Sequence, residues 1–141
     1  MQAPAYDPNN IFAKILRKEA PCHFVCEDAE TFVFMDIMPR SDGHALVIPK
    51  QPVRNILDAP QSVLGPLILT TQKVAIAAKK AFGADGITVT QFSEPAGGQV
   101  VFHMHIHVIP RYQGVDLRPA GIMGDNALLA ANAEKLKAAL A

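Results

Sequence analysis

The sequence has little of what marks nucleic-acid-binding, membrane and secreted proteins. Its 13 basic residues are balanced by 13 acidic ones, so it lacks the basic excess of a nucleic-acid-binding domain. Its apolar runs are shorter than the roughly 18 residues that span a bilayer, and residues 1–10 lack the basic and apolar regions of a secretory signal. We therefore expect a cytoplasmic protein with no nucleic-acid partner and no membrane partner.

Tryptophan is absent, and the only two cysteines are Cys22 and Cys26. Their spacing is wider than that of the CxxC pairs that bind zinc or form redox disulfides, so we expect two reduced, half-buried thiols. A chain of 141 residues can still build its own apolar core. We predict a single domain over residues 1–141, with a core motif region at 11–112 and an extension at 113–141 that contains a helix.

The apolar pattern predicts an α+β fold. A helical period indicates helices, and alternation or short apolar runs between turn residues indicate strands. Asp58 and Pro60 are typical of a helix start, and Gly65-Pro66 is expected to kink or divide the helix that follows. We expect a five-stranded antiparallel sheet and three helices: a short helix at 11–18, strands at 23–28, 31–37 and 45–48, a long central helix at 58–83, strands at 87–92 and 100–109, and a C-terminal helix at 126–141.

Three of the five histidines alternate along one short segment, at positions 103, 105 and 107. On a strand, alternate residues share a face and lie about 6.6 Å apart. His103, His105 and His107 would therefore line one surface, while the apolar residues between them enter the core. Three histidines in strict alternation are not explained by ordinary core packing.

Two chemistries can use such a row of imidazoles. The row could ligate a metal ion, although adjacent positions on one face rarely converge on one point. A neutral imidazole could instead attack phosphorus, with its neighbours orienting it. Gly97-Gly98-Gln99 precede the row and offer unhindered amides to phosphate oxygens, and no carboxylate lies nearby in the sequence. These surroundings favour phosphate chemistry.

The segment from His103 to Pro110, HMHIHVIP, resembles the signature of the histidine-triad family of nucleotide hydrolases and transferases. The segment from Asp36 to Lys50 is similar to another block of that family, and Gly98 to His103 is similar to its phosphate loop. The resemblance runs from about Ile11 to Tyr112 and is closest to the bacterial purine-nucleotide-binding branch.

The resemblance implies a role for each histidine. His105 would be the nucleophile that takes a nucleoside monophosphate as a covalent phosphohistidine, and His107 would orient it through its backbone carbonyl. His103 and His44 would complete the ring of imidazoles around the phosphate. Asp36 would accept hydrogen bonds from the ribose hydroxyls.

The resemblance also implies a nucleotide-binding surface and no metal centre. Asn10 and Ala13 occupy the places where some relatives carry zinc-binding cysteines, so we expect no metal. No cofactor is required, although a divalent cation could accompany the substrate. Beyond Asp36, the expected nucleotide contacts are Gly98, Gln99 and Ser93 at the phosphates, with Ile11, Phe12, Phe34 and Ile37 at the base.

The expected function is hydrolysis of the α-phosphate P–N or P–O bond of purine nucleotide conjugates, with AMP or GMP released. Val100 stands where relatives carry a hydroxyl residue, which keeps open a non-catalytic nucleotide sensor or interaction module. A metal-binding protein that uses the histidines as ligands is the other alternative. The family commonly pairs through its long helix and a sheet edge, so we expect a homodimer.

Overall fold

The computed structural model describes residues 4–141 and confirms the α+β class. Residues 1–3, which the predicted domain includes, lie outside the described residues. The elements are α1 (Ile11–Leu16), β1 (Phe24–Glu27), β2 (Thr31–Met35), β3 (Ala45–Pro49), α2 (Gln61–Ala81), β4 (Gly86–Thr90), β5 (Ile106–Arg111) and α3 (Asn126–Leu140), with a 3-10 turn at Pro95–Gly97 before β5.

The five strands form one antiparallel sheet, as predicted, and their order in it is β1-β2-β3-β5-β4. The β1–β2 hairpin closes where the Asp28 carboxylate accepts hydrogen bonds from the backbone amides of Glu30 and Thr31. β3 lies at the centre, and its five residues are all buried, as its nearly continuous apolar sequence indicates.

The two faces of the sheet are covered differently. α2 and α3 pack on one face, where Met104, Ile106 and Val108 join the larger apolar cluster. α1 alone packs on the other face, where Phe12 and Ile15 meet side chains of β2 and β3. His107 alternates with Ile106 and Val108 along β5 and therefore lies on the α1 face, where the His105 ring meets Phe12 of α1.

The central helix differs from the prediction at its start, and it is not divided at its proline. α2 begins at Gln61 with Pro60 at the cap position, while the Asp58 carboxylate accepts from the Arg54 and Asn55 amides instead. The helix continues through Pro66 without division, since a proline so near the N-terminus removes little of the helical hydrogen bonding. Within residues 4–141, none of the helices is both long and apolar enough to cross a membrane.

The predicted strand at 100–109 is wrong at its start, because β5 begins only at Ile106. Its ladder with β3 ends where Val47 pairs with Ile106. Pro49, farther along β3, has no N–H to donate, and its carbonyl accepts a hydrogen bond from the His103 ring instead. Two of the three alternating histidines therefore precede the strand.

Candidate active site

The three alternating histidines gather at the N-terminal end of β5. His107 lies in the strand opposite Leu46, whereas His103 and His105 lie in the segment just before it. His103 is 0% exposed and His105 is 8% exposed, and the centroids of the His105 and His107 rings are 5.0 Å apart. The three side chains lie together as predicted, although only His107 belongs to a strand.

His103 is held at both ring nitrogens. Its Nε2 lies 2.8 Å from the Pro49 carbonyl oxygen, and its Nδ1 lies 2.6 Å from the Tyr6 hydroxyl. A carbonyl can only accept, so Nε2 carries the proton and Nδ1 accepts from the tyrosine. The ring is therefore fixed as the Nε2–H tautomer.

His105 has the opposite tautomer. Its Nδ1 lies 2.7 Å from the backbone carbonyl of His103, so Nδ1 carries the proton and Nε2 keeps its lone pair. The expected partner was the carbonyl of His107, and that expectation is wrong. A side chain reaches back to the carbonyl two residues earlier here because residues 103–105 are not engaged in a strand ladder.

His44 lies immediately before β3, and its ring contacts His107. Its Nδ1 accepts a hydrogen bond of 3.0 Å from the Arg40 backbone amide, so the proton of the neutral ring is on Nε2. That Nε2 lies 2.9 Å from Nδ1 of His107 and donates to it. His107 must then carry its own proton on Nε2, the nitrogen that remains for a ligand.

Asp36 follows β2 and comes close to this pair of imidazoles. Its Oδ1 accepts from the Met38 amide at 2.8 Å, while Oδ2 lies 3.4 Å from Nε2 of His44 and 3.8 Å from Nδ1 of His107. Burial raises the pKa of Asp36 to about 6, and the Met38 hydrogen bond opposes that rise. The carboxyl is therefore mostly ionised at neutral pH.

Desolvation keeps the imidazoles neutral. Burial lowers the pKa of His44 to about 3 and those of His103 and His107 to about 4, and it also lowers the pKa of His105. The His103 carbonyl opposes this effect at His105 because it favours a protonated Nδ1. Neutral imidazoles retain the lone pair that a nucleophile needs.

A candidate metal ligand set overlaps this site. One ligand atom from each of Asp36, His44 and His107 lies within 4.8 Å of the others. Imidazole nitrogens and a carboxylate oxygen suit zinc, which often has three protein ligands. The hydrogen bond between His44 and His107 would have to give up its proton before both nitrogens could ligate an ion.

Gln99 does not have the role expected of it. Its Oε1 accepts from the Glu94 amide at 2.8 Å and from Asn55, and its Nε2 donates to the carbonyls of Arg54 and Val101. The amide is buried and fully engaged, so it is not available to a phosphate. It fixes the loop instead, because its four partners lie in the two segments around it.

The other residues expected at the phosphates lie on the same loop. Gly98 is exposed with φ +96°, and the Phe92 ring lies against it. Ser93 bonds through its hydroxyl to the side chain of Gln91, which in turn accepts from the Ile56 amide. Ser93 thus has its hydrogen-bond partner within the loop, and within residues 4–141 it makes no hydrogen bond to a histidine.

An apolar surface borders the imidazoles. The Phe12 ring stands edge-on to both Phe34 and His105, with centroids 5.2 and 4.9 Å apart. Ile11 and Ile37 are 47% and 43% exposed. The residues expected at the base therefore comprise two buried rings and two exposed aliphatic side chains.

Three further residues contact the histidines, although the sequence did not identify them as part of the site. Tyr6 precedes α1 and contacts His103, and Arg40 supplies the backbone amide that fixes the tautomer of His44. Phe92 packs on the His107 ring with centroids 5.4 Å apart. Each acts through a tertiary contact or a backbone group, which residue spacing does not disclose.

Comparison with known proteins identifies the family. Residues 17–114 match the family model described as the HIT domain, which is well over half of the chain. The chain belongs to the HIT domain family. The match contains His44 and all three alternating histidines, and it confirms the resemblance drawn from the histidine motif.

Relatives of this HIT-domain protein include solved and curated proteins. A HIT-like protein from Bartonella henselae is 53% identical with a TM-score of 0.93, covering 96% of this chain and 99% of its own. An uncharacterized HIT-like protein of Synechococcus elongatus is 43% identical over 104 residues, 72% of this chain and 89% of its own. Adenylylsulfatase HINT3 of Arabidopsis thaliana is 38% identical over 101 residues, 72% of this chain and 51% of its own.

Proposed function

We propose that this protein is a nucleotide-binding hydrolase that cleaves the α-phosphate P–N or P–O bond of purine nucleotide conjugates. The observation that carries the proposal is the bare Nε2 of His105, whose other ring nitrogen is held by the His103 carbonyl. The similarity to adenylylsulfatase HINT3 supports an adenylyl substrate. Nucleoside phosphoramidates and dinucleoside polyphosphates are also candidate substrates, because the reacting atom in each is the α-phosphorus of a nucleotide.

The reaction proceeds in two displacements. The Nε2 lone pair of His105 forms a bond to the α-phosphorus, and the leaving group departs with the electron pair of its own bond and takes a proton from solvent. The imidazole becomes cationic, and the His103 carbonyl stabilises it by accepting from Nδ1–H. Water then attacks phosphorus and gives up a proton to solvent, the P–N bond to His105 breaks with its electron pair returning to Nε2, and the nucleoside monophosphate leaves.

The surrounding groups bind the nucleotide. His107 donates from Nε2 to a phosphate oxygen, and the exposed loop at Gly98, whose own amide already donates to the Pro95 carbonyl, borders the phosphates. Asp36 accepts from the ribose hydroxyls, since it is ionised at neutral pH and a carboxylate can accept two hydrogen bonds. Ile11, Phe12 and Ile37 contact the base, and Ser93 lies on the phosphate loop.

The test is release of AMP from adenosine phosphoramidate and from a diadenosine polyphosphate. His105→Ala should reduce kcat by about 10³-fold or more, because the nucleophile is removed. His23→Ala is the matched control, since His23 lies outside the site and should leave kcat unchanged. Intact-mass spectrometry of quenched reactions should show a nucleotidyl adduct on the wild type and none on His105→Ala. AMP binding without turnover would instead identify a nucleotide sensor.

A metal-binding function is a second candidate, favoured by the cluster of Asp36, His44 and His107. Elemental analysis of the purified protein, with AMP release measured before and after chelation, separates the two. Hydrolysis through His105 predicts turnover that survives chelation, apart from any divalent cation that accompanies a polyphosphate. A stoichiometric metal ion whose removal abolishes turnover would favour the metal-binding function.

We also propose that the protein is a homodimer. Ile68, Leu69 and Ile76 of α2 are exposed, and β4 pairs with β5 alone, which leaves its other edge open. Ile76→Glu should shift the sedimentation coefficient from dimer to monomer, while Leu128→Glu, at an exposed position of α3, should not. A wild type that sediments as a monomer at every concentration would refute the dimer.

A cytoplasmic location is part of the proposal. Cys22 and Cys26 are both free thiols, which suits a reducing compartment. Cell fractionation with a tagged protein checks the location.

A further inference from the structure

The segment that carries His103 and His105 is held by individual hydrogen bonds rather than by a sheet ladder. Residues 99–105 precede β5 and make no ladder with β3. The Met104 amide bonds to the Val53 carbonyl at 2.8 Å, and the His103 ring spans from Pro49 to Tyr6. The position of His105 therefore depends on these few anchors.

Among the described residues before α1, 4–10, Tyr6 is the one that anchors His103. Its hydroxyl lies 2.6 Å from Nδ1 of His103, and the two rings meet edge-on with centroids 5.7 Å apart. Burial raises the pKa of the Tyr6 phenol, so it is protonated at neutral pH and donates to this nitrogen. The bond links residues 97 positions apart.

We propose that Tyr6 is a positioning residue for the nucleophile. Its hydroxyl holds the His103 ring, whose Nε2–H tautomer the Pro49 carbonyl sets, and the carbonyl of His103 accepts from Nδ1 of His105 at 2.7 Å. Without the hydroxyl, Nδ1 of the fully buried His103 ring has no donor among the described residues. The ring would then be free to tilt about its remaining hydrogen bond to the Pro49 carbonyl, and the backbone carbonyl of His103 would move with it. This role rests on the proposed hydrolase function.

The approach of Tyr6 is fixed by a local turn. The Asp7 carboxylate accepts from the Asn9 amide, and the Asp7 carbonyl accepts from the Asn10 side chain at 2.7 Å. Arg17 donates from Nη1 to the Pro8 carbonyl at 2.8 Å, which ties the turn to the end of α1. Tyr6 is therefore presented to His103 by a folded segment.

The experiment compares Tyr6→Phe with Tyr112→Phe. Tyr112 is the only other tyrosine, and its hydroxyl also donates a 2.6 Å hydrogen bond, to the Phe82 carbonyl away from the histidines. Each variant loses one hydroxyl and one bond of the same length, so the pair separates positioning from general stability. We expect kcat for AMP release to fall about 10- to 100-fold in Tyr6→Phe, with KM little changed, and to remain near wild type in Tyr112→Phe.

A second measurement does not depend on turnover. NMR spectra of the imidazole nitrogens should show a hydrogen-bonded, bare Nδ1 at His103 in the wild type and a displaced signal in Tyr6→Phe. Equal kcat in the two variants, or an unchanged His103 signal in Tyr6→Phe, would overturn the proposal. If the wild type does not turn over, the hydrolase function fails, and the NMR comparison alone decides whether Tyr6 fixes the ring.

Discussion

At the scale of single residues, backbone groups set where the protons of the site reside. The Pro49 and His103 carbonyls can only accept, and the Arg40 amide can only donate. These three groups fix His103, His105 and His44, and His44 in turn fixes His107. Because amides and carbonyls do not titrate near neutral pH, the arrangement leaves Nε2 of His105 bare wherever the rings are neutral.

The carboxylate of Asp36 gives the nucleotide affinity a pH dependence. Its pKa of about 6 means that acidification protonates it and weakens it as an acceptor for ribose hydroxyls. Asp36→Asn should weaken AMP binding about tenfold at neutral pH and should reduce the dependence between about pH 5 and pH 7, where the phosphate of AMP also titrates. Isothermal titration calorimetry measures both effects.

Asp42→Asn is the control for this prediction. Asp42 pairs with Arg118 at 2.7 Å on the exposed surface, so its neutralisation should leave AMP affinity unchanged. An Asp36→Asn protein that binds AMP like the wild type would remove Asp36 from the binding site.

Gln99 should contribute to stability through its buried amide. Gln99→Ala leaves Asn55, the Glu94 amide and two carbonyls without their present partner. We expect the free energy of unfolding to fall by about 1–3 kcal/mol, measured by urea denaturation. The adjacent Val100 is exposed, so Val100→Ala should change it by less than about 0.5 kcal/mol. Equal stability of the two variants would contradict a structural role for Gln99.

The sequence could predict which histidines matter but not how they are held. Alternation in the motif brought out His103, His105 and His107, and the resemblance added His44 and Asp36. The partner of His105 and the role of Gln99 were wrong, because both depend on a loop whose path is set by tertiary hydrogen bonds. Tyr6 lies 97 positions from its partner, and no local pattern links them.

At the scale of elements, apolar patterning was sufficient for the order and type of the strands and helices. The start of β5 was missed because alternation continues through residues 103–105 after the ladder has ended at Ile106. Pro49 explains this end, but the pairing of Pro49 with the His103 ring requires knowledge of the register between β3 and β5. Pattern predicts side-chain faces more securely than backbone pairing.

The turn before β3 has a sharp requirement for glycine. Gly43 has φ +91°, and a Cβ there would lie 2.5 Å from the Phe82 ring at the end of α2. Gly43→Ala should lower the free energy of unfolding by about 2 kcal/mol, since a left-handed backbone and a steric clash both oppose it. Thermal unfolding checks the effect, and AMP release should also fall because His44 is the next residue.

Gly65→Ala provides the matched control in α2. A Cβ at Gly65 meets nothing within 4 Å, and alanine is the better helix former by up to about 1 kcal/mol. We expect Gly65→Ala to unfold at the wild-type temperature or above it. Similar losses of stability in both variants would contradict a specific requirement for glycine at position 43.

At the scale of the whole molecule, the sheet separates support from chemistry. α2 and α3 bury one face under a continuous apolar cluster, while α1 covers only part of the other. The imidazoles lie on that second face, where Phe12 packs against His105. One cost of this arrangement is that four neutral histidines are kept from water inside the folded protein.

This burial makes the stability of the whole fold depend on pH. The pKa values of His44, His103 and His107 are about 3 to 4 in the folded state, below the ordinary value of 6.5. The unfolded chain therefore binds more protons than the folded one as the pH falls below 6.5, and stability is lost. Asp36 acts in the opposite direction, because its pKa of about 6 is above the ordinary 3.8.

Three histidines outweigh one carboxyl, so acidification should destabilise the protein. We expect the free energy of unfolding to fall by roughly 2–4 kcal/mol between about pH 7 and pH 5, measured by urea denaturation at each pH. Asp36→Asn removes the opposing contribution, so the decline should be steeper in that variant than in the wild type. A stability that stays level or rises towards about pH 5 would mean that the imidazoles are already charged in the folded state, and a charged His105 could not attack phosphorus.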